Sequence, residues 1–359
     1  MVRMGTAAFD PDATLFAFRP DAERACLVEA RVRSGLADSL AATLQALGDD
    51  RAAAGEDLIA RIRAGPTAPI VFGAYTDLVE AIFSDDIYAA ERIADELCTP
   101  AFGHVGALRI VTLIDQDLGD GQAARYRRLV DDDPQLGLEI TALAPPEFAS
   151  AASRVSEAIA LLDAAAPELA AELRTLVHEV VVVGREGDSY FGASSFQLWG
   201  ALFVKLNFQA SRVEIAQALA HECAHALLFG FGMGMPLVEN EAEELYPSPL
   251  RNDPRPMDGV VHATYVIARM HYTMERLLES GLLTDEEERE AADWIERNAQ
   301  GYGEGVVVVE RNARWTQVGE SVFRSAKDYM GACLHRRDAS PVAYPLPRLD
   351  TPRATDSMV

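Results

Sequence analysis

Apolar side chains recur every three or four positions along the first part of the chain, a spacing that predicts helices with one buried face. The repeat is clearest over residues 21–48, where it is carried by Val28, Val32, Leu36, Leu40, Leu44 and Leu47. Weaker repeats predict helices over residues 57–64, 75–97 and 150–165, broken at Gly65-Pro66, Pro100 and Pro145-Pro146. The region 1–180 is therefore predicted to be helical.

The pattern changes after residue 180. Short β-branched or alternating runs predict strands over 180–183, 201–207 and 306–309. Ser211 with Glu214 predicts a capped helix over 212–229 that stops at Gly230, and a loop is expected over 230–256. Further helices are predicted over about 258–280, from Thr284 to near residue 298, and over 317–329.

These elements predict an α+β protein that is predominantly helical. Its parts would be an N-terminal helical region (1–180), a catalytic region (181–335) with a small sheet over the helix of residues 212–229, and a flexible Pro-rich tail (336–359). The strand over 201–207 directly precedes that helix, so its edge could hold an extended peptide by main-chain pairing.

Composition narrows the classes of partner. The 359 residues carry 32 Lys and Arg against 56 Asp and Glu, a net charge of −24 that would repel nucleic acid and suits a basic or neutral peptide. No apolar run is long enough for a membrane span and no secretion signal is evident. Four widely spaced cysteines, Cys26, Cys98, Cys223 and Cys333, argue against a disulfide scaffold and a Cys-based zinc site. A cytoplasmic protein is expected; oligomeric state is undetermined.

The strongest chemical signal is an HExxH motif at residues 221–225. His221 and His225, four residues apart on one helical face, can reach a common metal ion, and Glu222 lies beside them. Cys223 is on another face and is interpreted as a packed small residue. Chance could produce such a motif, but the capped helix and its apolar flanks favour metal binding.

A third ligand is needed, and the residues leave two candidates. Glu241 belongs to an acidic stretch (Glu239, Glu241, Glu243 and Glu244) in which Asn240-Glu241 resembles the carboxylate-ligand segment of thermolysin-like zinc peptidases, at shorter spacing. His262 lies on the next predicted helix. The simpler interpretations are a solvated acidic loop and an ordinary core histidine.

Residues 246–268, YPSPLRNDPRPMDGVVHATYVIA, follow the HExxH motif, and together they resemble the HExxH motif-containing peptide-modification proteins associated with ribosomally made, post-translationally modified peptides. The likeness covers residues 190–270. It implies a zincin-like region, with His221, His225 and His262 as ligands of Fe(II). It also implies a 2-oxoglutarate-dependent oxygenase that uses O2 to hydroxylate a β-carbon in a precursor peptide.

The implied cosubstrate directs attention to further residues. The distal carboxylate of 2-oxoglutarate would suit a guanidinium group. Arg255 is preferred over Arg251 because Pro254 and Pro256 stiffen its backbone. Either arginine could instead neutralise the acidic stretch. Ser194 and Ser195 are candidates for hydrogen bonds to the cosubstrate or the peptide. The simpler interpretation is that they are polar residues at the start of a strand. Glu222 would support the metal site in an oxygenase.

Two other functions stay open. A zinc metallopeptidase, holding Zn(II), would use Glu222 as the general base that accepts a proton from metal-bound water. A purely structural metal in a peptide-binding protein is the third possibility, disfavoured because structural zinc is usually enclosed by four ligands that include cysteine.

Overall fold

The computed structural model describes residues 15–99, 102–103, 106–130, 139–184, 191–207 and 209–339. Helices predominate in this part of the chain, as predicted. Their bounds are α1 (Ala22–Leu47), α2 (Asp49–Ala64), α3 (Pro69–Phe83), α4 (Ile87–Leu97), α5 (Asp115–Leu118), α6 (Gln122–Val130), α7 (Pro145–Ala165), α8 (Pro167–Leu176), α9 (Arg212–Gly232), α10 (Met257–Glu279), α11 (Asp285–Asn312) and α12 (Gln317–Ala339).

The strands form two small sheets. Their bounds are β1 (Arg109–Val111), β2 (Glu179–Val182), β3 (Phe191–Ser194), β4 (Ala201–Lys205), β5 (Leu245–Ser248) and β6 (Arg251–Pro256). In the larger sheet, β1, β2 and β4 run parallel and β3 pairs with β4 antiparallel, in the order β1-β2-β4-β3. The other sheet is the β5–β6 hairpin. Together with the helices, this mixed sheet confirms the coarse α+β class.

The position of β4 corrects the peptide-edge prediction. All five residues of β4 are buried, and the strand is paired on both sides, with β2 and with β3. Its backbone groups are therefore already used within the sheet and cannot pair with a peptide. Residues 201–207 were expected to alternate between a buried and an exposed face. In the structure both faces of β4 are buried, so its side chains do not alternate in exposure.

The strand predicted over 306–309 is also wrong, because these valines lie inside α11. This helix begins at the Thr284–Glu287 capping box, as predicted, but continues to Asn312 instead of ending near residue 298. Burial of Val309 and Gly305 on one side of this helix outweighs the strand preference of β-branched side chains.

Several other boundaries differ from the prediction. The helix expected over 75–97 is two helices, α3 and α4, and Pro145 begins α7 because a missing N–H is tolerated in a first helical turn. The predicted loop over 230–256 contains the β5–β6 hairpin. Helix α12 extends to Ala339, into the region expected to be a flexible tail; residues 340–359 lie outside the described part.

Helix α9 lies at the centre of the arrangement that positions the site. Its residues contact α10, α7 and strands β3 and β4, and most of them are buried. The hydrophobic core runs continuously from Phe16 to Met330 among the described residues. Within these residues, no helix has both the length and the apolar character needed to cross a bilayer. The proposed division at residue 180 stays a prediction; β2, which spans this point, pairs with strands from both sides of it.

Candidate metal centre

The two histidines of the motif meet on one face of α9. Ser211 caps this helix by accepting a hydrogen bond from the Glu214 backbone N–H at 3.0 Å, as predicted. One helical turn separates His221 from His225, and their Nε2 atoms lie 3.2 Å apart. The spacing of the two histidines on one helix is therefore enough to bring their side chains together.

Helix α10 brings a third histidine to this pair. His262 Nδ1 lies 3.2 Å from His225 Nδ1, so His225 stands between His221 and His262. On its other side, His262 Nε2 is 3.8 Å from Asp258 Oδ2. The Leu237 backbone N–H donates to Asp258 Oδ1 at 2.7 Å and so fixes this carboxylate.

All three imidazoles favour the neutral state. Burial lowers the pKa of His221 to about 4, and the positive charge of Arg251 acts in the same direction. The pKa of His225 is well below its ordinary value because of burial and its two histidine neighbours, and burial also lowers the pKa of His262. Neutral imidazoles have the free lone pairs that a metal ion requires.

The two histidines of the HExxH motif are spaced to bind a common metal ion. Two nitrogens bound about 2.0–2.2 Å from one ion at angles between about 90° and 110° lie about 2.8–3.6 Å apart. The Nε2 atoms of His221 and His225, 3.2 Å apart, have such a separation. His262 faces the other nitrogen of His225, so a bond from His262 to the same ion needs a side-chain rotation within the cluster. If His262 binds through Nδ1, its Nε2–H points toward Asp258, the usual support of a ligating histidine.

Glu222 is buried beside the histidines. Its Oε1 lies 3.7 Å from His221 Nε2, and its Oε2 accepts a hydrogen bond from the Ser194 hydroxyl at 3.1 Å. Burial raises the pKa of Glu222 to about 8, although Ser194 and Arg251 favour its charged form. Ser194, at the end of β3, therefore links the small sheet to the HExxH helix.

The remaining predicted residues have different surroundings. Among the arginines, Arg251 acts electrostatically on His221, Glu222 and His225, whereas Arg255 Nε pairs with Asp253 at 2.9 Å. Ser195 is buried, and its hydroxyl caps a short 3₁₀ helix by accepting from the Gln197 N–H at 3.2 Å.

Glu244 and Glu241 of the acidic stretch interact with Arg314. Glu244 pairs with Arg314 at 2.8 Å and accepts from Tyr246 at 2.6 Å, and these hydrogen bonds lower its pKa to about 2. Asn240 bonds to the same carboxylate, and the exposed Glu241 acts on Arg314. His262, and not Glu241, is the candidate third ligand that lies beside the HExxH pair.

Three supporting residues were missed by the sequence analysis. Met270 Sδ lies 3.2 Å from His221 Nδ1, and the Phe229 ring stacks on His225 with centroids 6.3 Å apart. Asp258 and Phe229 each lie four residues from a candidate ligand, so helical spacing could have found them. Met270 had no such signal, because only the packing of α10 against α9 brings it to His221.

No family model and no curated protein matches this chain.

Proposed function

We propose that this protein is an Fe(II)- and 2-oxoglutarate-dependent oxygenase that hydroxylates a β-carbon of a residue in a ribosomally made precursor peptide. The observation that carries the proposal is the contact of His262 with His225, which on its other side contacts His221. This is the ligand set implied by the resemblance of residues 190–270 to the HExxH peptide-modification proteins. A zincin-like catalytic region is part of the same proposal.

His221, His225 and His262 would hold the metal through neutral nitrogens. Three protein ligands leave open positions for a cosubstrate and a gas, as catalytic sites require. The His221 side chain is 18% exposed, so the cluster is accessible from one side. When bound, Fe(II) with 2-oxoglutarate supplies C–H oxidation by O2, giving one hydroxyl group, succinate and carbon dioxide.

Arg251 is the better candidate for binding the anionic cosubstrate. Its charge already acts on the cluster, and it is exposed on β6, whereas Arg255 is engaged with Asp253. A guanidinium group binds a carboxylate through two parallel hydrogen bonds. Ser194 already bonds Glu222, and we assign it a positioning role rather than contact with cosubstrate.

A zinc metallopeptidase is the second candidate, and Glu222 favours it. This carboxyl group lies beside a candidate ligand and has a raised pKa, properties suited to accepting and returning a proton. In the oxygenase the same residue would hold His221 and the bound metal in place. The two functions share the metal cluster and differ in the task of Glu222.

The decisive experiment reconstitutes the metal-free chain with Fe(II) and 2-oxoglutarate without oxygen, then adds O2 and a peptide encoded by a neighbouring gene. Gain of one oxygen atom by the peptide, with one succinate formed per hydroxylation, is expected. Cleavage of the peptide with Zn(II) alone would contradict the oxygenase proposal and support the zinc peptidase. His335→Ala, which removes an exposed histidine at the end of α12, is the matched control for His262→Ala.

A further inference from the structure

A second group of metal-binding side chains lies between α10 and α12. His271 and Glu275 are one turn apart on α10, with His271 Nε2 3.9 Å from Glu275 Oε1. Cys333, on α12, places its Sγ 3.5 Å from Glu275 Oε2. One donor atom from each of the three lies within 4.8 Å of the others. The Tyr329 hydroxyl also donates to Glu275.

This group is separate from the three-histidine cluster. His271 follows His262 by nine residues, which is two and a half helical turns, so the two side chains point to opposite faces of α10, about 13.5 Å apart along its axis. One face meets α9 and the HExxH pair, and the other meets α12. The second group is therefore unaffected by which function the first cluster performs.

The donors are those that zinc prefers. Imidazole, carboxylate and thiolate are common Zn²⁺ ligands, with bonds of about 2.0–2.3 Å that place tetrahedral ligand atoms about 3.3–3.8 Å apart. The distances from Glu275 to Cys333 Sγ, 3.5 Å, and to His271 Nε2, 3.9 Å, are near these values. A thiolate selects zinc over the harder cations that oxygen ligands bind.

Burial gives the site a structural character. His271 and Cys333 are buried, and the Glu275 side chain is 20% exposed. The Tyr329 hydroxyl, by its hydrogen bond to Glu275, holds the carboxylate of this candidate ligand in place. An ion held here would connect α12 to the helix that carries His262, and its binding would release the thiol proton to solvent.

We propose that His271, Glu275 and Cys333 form a structural zinc site that fastens α12 to α10. Cys333 follows Glu275 by 58 positions, so the spacing rules that argued against a Cys-based zinc site could not find it. This inference does not depend on the proposed oxygenase activity.

The test uses Co²⁺ as a spectroscopic substitute for zinc in the full chain. None of the three proposed ligands of the first cluster has sulfur, so a cobalt–thiolate charge-transfer band would report the second site. Two equivalents of Co²⁺, enough to occupy both proposed metal sites, should produce the band, and Zn²⁺ should displace it. Absence of the band in the folded wild-type chain overturns the proposal.

Two cysteine variants identify the ligand. Cys333→Ser should lose the band and weaken zinc binding at this site at least about 100-fold, because a ligand itself is removed. Cys26→Ser, at an exposed position on α1, should retain the cobalt–thiolate band and the wild-type zinc affinity. His271→Asn gives an independent loss of binding if Cys333→Ser does not fold. A band that persists in folded Cys333→Ser assigns the thiolate elsewhere and refutes the site.

Discussion

His262 is the residue on which the proposed metal centre depends most, because it alone comes from outside the HExxH helix. His262→Ala leaves two imidazoles, and Fe(II) affinity should fall at least about 100-fold. Anaerobic competition with a chromophoric chelator measures this change. His335→Ala should bind Fe(II) as the wild type does, and equal affinities for His262→Ala and His335→Ala would remove His262 from the ligand set.

Glu222 distinguishes the two candidate enzymes. In the oxygenase, Glu222→Gln should weaken metal binding about 10- to 100-fold and leave turnover largely intact at saturating Fe(II). In a zinc peptidase it should reduce turnover about 10²- to 10⁴-fold even when metal is saturating. Metal affinity and turnover are measured separately on the same preparation. Ser194→Ala, which keeps the carboxylate and removes its hydrogen bond, should have the smaller effect on affinity.

His178 provides a pH-dependent contribution to stability away from the metal cluster. Burial, with a smaller effect from Arg33, lowers its pKa to about 4. The unfolded chain therefore binds this proton more readily, so acid favours unfolding as the pH falls from about 6.5 to about 4.

Replacing His178 with Asn should remove this dependence. Between pH 7 and pH 4 the wild type should lose up to about 3 kcal/mol more unfolding free energy than His178→Asn. Urea unfolding at several pH values measures both curves, and the other histidines contribute equally to each. Parallel curves would show that the pKa of His178 is not shifted.

Helix α9 illustrates how packing, rather than a local stop signal, sets the end of an element. Gly230 was predicted to end the helix in a left-handed conformation, but α9 continues to Gly232 and the left-handed residue is Met233, with φ of 53°. Gly230 serves close packing instead. A Cβ there would lie 2.3 Å from Val28 Cγ1 and 2.7 Å from Trp199 Cη2.

Gly230→Ala should therefore destabilise the protein by about 1–3 kcal/mol, because α1 and Trp199 must move to admit the methyl group. Gly303→Ala, in α11 with open space around its Cβ position, should stabilise by up to about 1 kcal/mol through helix propensity. Chemical denaturation of both variants gives the comparison. If the two glycines respond alike, the close approach at Gly230 does not exist.

Across the whole molecule, a buried ionic cluster connects the N-terminal helices to the helix of His262. Glu172 on α8 pairs with Arg24 of α1 at 2.9 Å and with Arg269 of α10, and all three are buried. Arg269 also donates to the Phe18 carbonyl at 2.7 Å. Two guanidinium groups thus share one carboxylate at a junction of three helices.

Glu172→Gln should cost about 3–5 kcal/mol of unfolding free energy, because two buried cations lose their counter-charge. Glu168→Gln changes an exposed carboxylate on the same helix and should alter stability by less than about 0.5 kcal/mol. Denaturant unfolding of the two variants tests this. A loss below about 1 kcal/mol for Glu172→Gln would show that the cluster is hydrated rather than buried.

The sequence by itself determined what depends on neighbours a few residues apart. Helical spacing defined α1, the HExxH pair and the Thr284–Glu287 cap, because these contacts lie within one or two turns. Prediction from local sequence was wrong for the valines of α11 and for the position of β4 in the sheet, because contacts with distant residues outweigh local preference there. Only the tertiary structure put His262 against His225, Met270 against His221 and Cys333 against Glu275, since these contacts join separate helices.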